Sequence, residues 1–476
     1  AAMGALLWLG SLITLSYFGI HGHPITPSVV FAMFESNPEE SKEFLTQYFN
    51  VWMILGLTLY TLCGCLIWRR IRAVRLVRTH AIVVSLLALA VSFGTPFVAP
   101  RTQDATALWQ ILNGFRQYAG QLHQIRSLLE YGAPALQNLS DANGDTPRTL
   151  VLVIGESTTR RHMSLYGYPR STSPRLQALR ARSKNLTVFD DVIAPRPYTI
   201  EVLQQALTFA NQEQPRRFPG EPTLLDLMRQ AGYKTIWITN QQTMNRIGLL
   251  SVFPRQADEI HYLNRSFQKD ANQTDEVVLA PFARALKDPA PKKMIVVHLM
   301  GAHLEYQQRY PAEFARFDSR EGAPPALDDK QLAHFNAYDN AVLYNDTVVT
   351  QLIESFNEAG AYGFLLYFSD HGEEVFDTPP HQILGRNEDA PTPGMYAIPF
   401  MLWESDDWRA RHPRDFSAMA HRRYSTTHLI HTWADLAGLA FDRYQPELSV
   451  VSPAFKPFTR WIGNPDKKLR DFDAEE

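Results

Sequence analysis

Beyond residue 65 this 476-residue sequence has no cysteine, and the two it has, Cys63 and Cys65, sit inside an apolar run. No disulfide framework and no thiol nucleophile are therefore available to the rest of the chain. An excess of basic charge is missing too: 46 Lys and Arg stand against 49 Asp and Glu, for a net charge of -3. That balance gives no electrostatic footing for nucleic acid as a partner. Internal repeats and low-complexity tracts are also absent. What is present is 45% hydrophobic and 12% aromatic residues, enough for a sizeable core, on a chain long enough for at least two units.

Three apolar runs, about 1–20, 51–68 and 81–100, carry no charge and are long enough to cross a bilayer. A buried core helix is the alternative, and a cleaved leader accounts at best for the first run. Between the second and third lies RRIRAVRLVR, with Arg69, Arg70, Arg72, Arg75 and Arg78. The positive-inside rule places that loop in the cytoplasm. The acidic loop between the first two spans, and everything after Pro100, then face outward. Residues 1–103 thus read as a helical transmembrane domain.

Residues 104–145 have apolar positions at helical spacing, such as Leu108, Ile111, Leu112 and Phe115, and read as bridging helices along the membrane surface. The turn-rich run Asp141 to Pro147 marks a boundary. From 146 to 476 the pattern alternates. Strand-like runs at 149–155, 234–239, 293–301, 363–369 and 398–403 are separated by helical stretches at 222–231, 275–286, 340–358 and 427–436. Such alternation predicts an α/β domain with a mostly parallel sheet covered on both faces. Ligands of such sheets bind beyond the carboxyl ends of the strands.

The residues at those ends are polar. The first strand runs into Glu156, a metal ligand or simply a favourable charge at a helix start. The fourth runs into Asp370-His371-Gly372, pairing a hard oxygen with an imidazole as zinc prefers; a solvated turn is the alternative. The third ends at His303, and His381 follows His371 by ten residues. Thr199 opens a helix after Arg196-Pro197-Tyr198. It is either an N-cap or a nucleophile that needs a metal or base to activate it.

Taken together, GESTTRRHMSLYGYPRSTSP, RPYTIEVLQQALTFAN, TNQQT, GAH and FSDHGEEVFDTPPH closely resemble the phosphoethanolamine transferases. These are bacterial inner-membrane enzymes of the alkaline phosphatase and sulfatase superfamily. RNEDAPT and RWIGNP resemble the branch that modifies heptose in the lipopolysaccharide core. The resemblance implies an alkaline-phosphatase-like sandwich, a multi-pass inner-membrane anchor and a periplasmic catalytic domain. It makes Glu156, Thr199, Asp370 and His371 ligands of one tightly bound zinc ion, with a second ion left open. Thr199 becomes the nucleophile that carries phosphoethanolamine. His303 and His381 become catalytic residues that touch the phosphate or a second metal. MFESNPEE resembles the loop that receives the ethanolamine group, which makes Ser36 and Glu40 substrate-binding candidates; Ser36 and Glu39 also read as a capping box.

The implied reaction takes phosphoethanolamine from phosphatidylethanolamine and gives it to lipopolysaccharide, at a core heptose or its phosphate. Two rivals share the residue set, a phosphoglycerol transferase and a phosphodiesterase; a non-catalytic membrane scaffold is the third. Sulfatase activity is set aside, because Thr199 lies in no C/S-x-P-x-R motif. Three departures from the family stand out. Its members generally have five spans, which points to an N-terminal stretch outside this sequence; Ala32 replaces an asparagine of lipid A-modifying relatives, and their disulfides are absent.

Overall fold

The computed structural model describes residues 2–21, 49–70, 107–215, 221–241, 251–264, 273–465 and 467–475, with scattered positions between 25 and 45 and between 79 and 87. Ser36 and Glu40 lie outside the described residues, as does most of the run 81–100. The chain divides into two compact units, Ala1–His123 and Gln124–Glu476.

The first unit contains α1 (Ala2–His21) and α2 (Val51–Arg70). No residue of α2 is buried, and Trp52 is 77% exposed. Apolar surface left open along a whole helix needs a cover that water does not provide. Among the described residues α2 is the helix long and apolar enough to cross a membrane, and α1 holds a shorter apolar stretch, Trp8–Ile20. Of the third expected span, 82–84 and 86–87 are helical. The expected bridge is helical as α3 (Ala107–Tyr131), and 132–145 is loop apart from a two-residue strand at Ser140–Asp141.

In the second unit, among the described residues, seven strands form one sheet. They are β1 (Arg148–Gly155), β2 (Leu186–Phe189), β3 (Lys234–Thr239), β4 (Glu259–Tyr262), β5 (Lys292–His298), β6 (Gly363–Ser369) and β7 (Phe400–Glu404), in the order β2-β7-β6-β1-β5-β3-β4. All eight residues of β1 are buried, as its continuous apolar run requires of a central strand. The sheet is mostly parallel, as expected, and is mixed only near one edge. There β7 runs antiparallel to both β6 and β2, while β4, β3, β5, β1 and β6 are parallel. The apolar pattern of 398–403 reports burial, which is the same for either direction.

Helices α4 (Pro174–Arg182), α5 (Thr199–Ala206), α6 (Leu224–Gln230), α7 (Leu279–Leu286), α8 (Asp329–Glu358) and α9 (Leu429–Ala437) cover the sheet. One face, with Val151, Val153, Ile295, Val297 and Leu365, packs on α7 and α8 through Phe282, Tyr338, Val342 and Val349. The other presents Phe364 to Trp433 of α9, ring centroids 5.1 Å apart, and Trp433 donates to Met228 of α6. Each such aliphatic side chain, fully buried, contributes roughly 1.5–3 kcal/mol. The expected helix at 340–358 begins earlier, at Asp329. Asp328 and Gln331 form a capping box there, which ties down the first free N–H groups.

Candidate active site

Sheet register builds the site. Gly155 of β1 pairs with Ser369 of β6, so Glu156 and Asp370 leave neighbouring parallel strands at the same level, although 213 residues separate Ser157 from Asp370 in the chain. The Asp370 amide donates to Gly155 O at 3.1 Å. Asp370 Oδ1 accepts from the amides of Ser157 (3.1 Å) and His371 (2.7 Å). Its other oxygen, Oδ2, is buried with no hydrogen-bond partner among the described residues.

Glu156 Oε1 accepts from Ser157 Oγ at 2.8 Å and lies 3.2 Å from His371 Nε2. Its Oε2 accepts from Thr199 Oγ1 at 3.1 Å and from Gln241 Nε2 at 3.4 Å. His371 Nε2 is 3.4 Å from Asp370 Oδ2, and Nδ1 lies 2.8 Å from Gly372 O. That contact assigns the ring proton to Nδ1 and turns the Nε2 lone pair inward. The ligand atoms of Glu156, Asp370 and His371 lie within 4.8 Å of one another.

Thr199 is the first residue of α5. The residue at the cap is Tyr198, without a side-chain cap bond, so the threonine hydroxyl is spent on Glu156 rather than on its own helix. The N-cap alternative is thereby answered. Two carboxylates packed this closely cannot both ionise comfortably. Burial opposes charge on Glu156, but the His371 ring, when it also carries a proton on Nε2 in the absence of a cation, holds its carboxyl well below the usual range. Burial, and then the Glu156 charge, push Asp370 up to about 7. Two hard oxygens, an imidazole nitrogen with its lone pair inward, a hydroxyl and an orphaned carboxylate oxygen fit a zinc ion.

The glycines act by close approach. A Cβ at Gly372 would fall 2.1 Å from Gly394 O, and one at Gly301 2.4 Å from Glu156 O. Gly301 also has φ +53, a conformation that favours glycine. At Gly372 the constraint is a lack of room alone.

His303 lies five residues past the end of β5, because that strand stops at His298 rather than at Gly301. The turn between is held by Asp275, which accepts from the amides of Met300 and Gly301, both at 2.8 Å. The His303 Nδ1 is buried with no partner among the described residues, and burial pushes the ring down to about 3. His381 is half-buried, its Nδ1 2.6 Å from Phe376 O, its carbonyl accepting from Gln331 of α8. Among the described residues no hydrogen bond joins His381 to Glu156, Thr199, Asp370 or His371.

Two further residues at the centre were not singled out from the sequence: Arg386 lies in a loop with no strand-end signal, whereas Gln241 follows the end of β3 by two residues, a position that could have pointed to it. Gln241 reaches Glu156 as above. Arg386 Nη1 lies 2.7 Å from His371 Nε2, and its Nε lies 3.5 Å from Glu373 Oε2. Both belong to segments that carry the family resemblance, TNQQT and RNEDAPT.

A sulfatase family profile matches residues 148–439. The phosphoethanolamine transferase EptC of Escherichia coli K12 is 50% identical over all of this chain and 86% of its own length. The crystal structure of the C-terminal periplasmic domain of E. coli EptC, in complex with zinc, is 57% identical. It covers 72% of this chain and 97% of its own, with a TM-score of 0.71. The integral membrane protein lipooligosaccharide phosphoethanolamine transferase A (EptA) of Neisseria meningitidis shares the fold over 96% of this chain and 87% of its own. Its TM-score is 0.70 at 19% identity.

Proposed function

Because the chain belongs to the phosphoethanolamine transferases of the sulfatase family, we propose that it moves phosphoethanolamine from phosphatidylethanolamine to lipopolysaccharide through a covalent phosphothreonine at Thr199. The acceptor on this reading is a core heptose or its phosphate. The observation that carries it is the Thr199 hydroxyl donating to Glu156 Oε2 at 3.1 Å, at the helix start where phosphate is favoured.

In the first step Thr199 Oγ forms a bond to phosphorus, the bond to the diacylglycerol oxygen breaks, and the threonine proton ends on that oxygen. In the second an acceptor oxygen, of a heptose hydroxyl or of its phosphate, attacks the same phosphorus, the P–O bond to Thr199 breaks, and a proton returns to the threonine, from the heptose hydroxyl or, for a phosphate acceptor, from solvent. Glu156 orients the Thr199 hydroxyl and takes its hydrogen bond. His303 and His381 contact the phosphate and move protons to or from the departing oxygens. Glu156, Thr199, Asp370 and His371 would hold one zinc ion, whose Lewis acidity lowers the pKa of the hydroxyl and offsets charge on the phosphoryl oxygens.

Residues 1–103 anchor the enzyme in the inner membrane, 104–145 bridge, and 146–476 face the periplasm. Ser36 and Glu40 receive the donor's ethanolamine group. Both reactants are then lipids held at one surface, which suits a two-step transfer. The test is Thr199→Ala with labelled phosphatidylethanolamine: labelled protein and labelled lipopolysaccharide both vanish. A protein adduct of undiminished intensity in that variant ends the reading.

A further inference from the structure

RNEDAPT and RWIGNP, the two segments that resemble the heptose-modifying branch, lie far apart in sequence and play no part in the cluster around Glu156 apart from Arg386. In the folded chain they meet. Glu388 and Asp389 of the first, with Trp461, Gly463 and Asn464 of the second, line one cavity of about 560 Å³, closed by Arg470 and its neighbours. That volume lies within the range of small-ligand sites, roughly 300–1,000 Å³.

Its walls are tied to the reacting segment from two directions. Glu388 accepts hydrogen bonds from Nε and Nη2 of Arg196, and Arg196 is three residues before Thr199. The Gln212 side chain donates to Gly463 O at 2.8 Å and to Pro195 O at 2.7 Å. Arg386, which touches His371 Nε2, precedes Glu388 by two residues, a span of about 7 Å at most. Two wall residues of the cavity, Glu388 and Gly463, are therefore tied to the segment that carries Thr199.

The chemistry of the lining selects among ligands. Four carboxylates and three cations line it; Glu388 is paired with Arg196, and Asp389 with Lys467 at 2.7 Å. This near balance favours no polyanion and no polycation. It offers planar carboxylate, amide and guanidinium groups, which match vicinal hydroxyls in pairs, beside an aromatic ring, Trp461, on which a C–H face can rest. We propose that this cavity is the acceptor subsite, and that it binds a polyhydroxylated sugar ring of the acceptor while its reacting oxygen reaches Thr199. The proposal rests on the phosphotransfer reading above.

The test uses the full chain in detergent and lipid-free core oligosaccharide released from lipopolysaccharide. Saturation-transfer NMR reads binding directly, and the rate at which the oligosaccharide discharges a preformed Thr199 adduct reads transfer. Trp461→Ala and Asp389→Ala each raise the half-saturating oligosaccharide concentration by about tenfold, the scale of losing one central contact. Thermal melting establishes that each variant is folded, and Asp389→Ala decides alone if Trp461→Ala is not. Absence of saturation transfer in the unsubstituted protein overturns the proposal, and so does an unchanged concentration dependence in a folded variant. Adduct formation from phosphatidylethanolamine, followed by intact mass, separates the two readings. If the unsubstituted protein forms none, the phosphotransfer reading fails, and the binding measurement still judges the cavity.

Discussion

At the scale of single residues, the centre depends on side chains with no freedom to relax. Gly301→Ala puts a methyl group against the Glu156 carbonyl in a backbone conformation that already disfavours it. The expected result is a folded protein with at least a several-fold loss of bound zinc, read by elemental analysis, because Glu156 is displaced. His162 is a second fixed point. Its Nδ1 lies 2.6 Å from Asp339 Oδ1, and Nε2 lies 3.0 Å from both oxygens of Asp377. Burial works against charge on this ring, but Asp377 and Asp339 raise it to about 10. The folded value lies above the roughly 6.5 of an unfolded histidine. The stabilisation is therefore complete below that pH and is lost as pH climbs through about 10. His162→Gln should cost about 3–5 kcal/mol near pH 6 and markedly less near pH 10.5, read by urea unfolding at the two pH values.

At the scale of elements, α4 begins on a carboxylate borrowed from the middle of α8. Asp346 accepts from the amides of Arg175 and Leu176, both at 2.9 Å. Asp346→Ala leaves two N–H groups at the start of α4 without an acceptor and should cost about 2 kcal/mol, measured by chemical denaturation. Nothing local in 174–182 announces this acceptor, and α4 was not legible in the sequence. Strands that are apolar throughout were legible: 149–155, 234–239 and 363–369 match β1, β3 and β6 to within a residue. The short edge strands β2 and β4 were not, because four residues, in β4 only half-buried, give periodicity nothing to act on. The direction of β7 is a property of its connections, which apolar patterning does not encode. In the site, residues at strand ends could be read from position, Gln241 after β3 among them though it was not singled out, whereas Arg386 reaches the centre from a loop and was visible only inside a family-like motif.

At the scale of the molecule, two demands of different kind are met by the two units. The exposed apolar length of α2 should make the full chain dependent on detergent. Residues 137–476 expressed alone should be soluble and monodisperse without it; aggregation of that fragment in gel filtration would count against the division. A metal bound only by the folded state stabilises it by roughly 2.7 kcal/mol at a hundredfold excess over its Kd. A chelator should therefore lower the melting temperature of either form by several degrees, and added zinc should restore it.

Glu156 and Asp370 face one another because Gly155 sits opposite Ser369. A one-residue insertion anywhere in Leu150–Ile154 would turn Glu156 to the wrong side of the sheet and silence the protein at a stroke. Insertions in surface loops away from these two strand ends would leave that pairing as it is. Descendants of this chain are thus free to elaborate their outskirts, while two short β-segments must be inherited letter for letter in length.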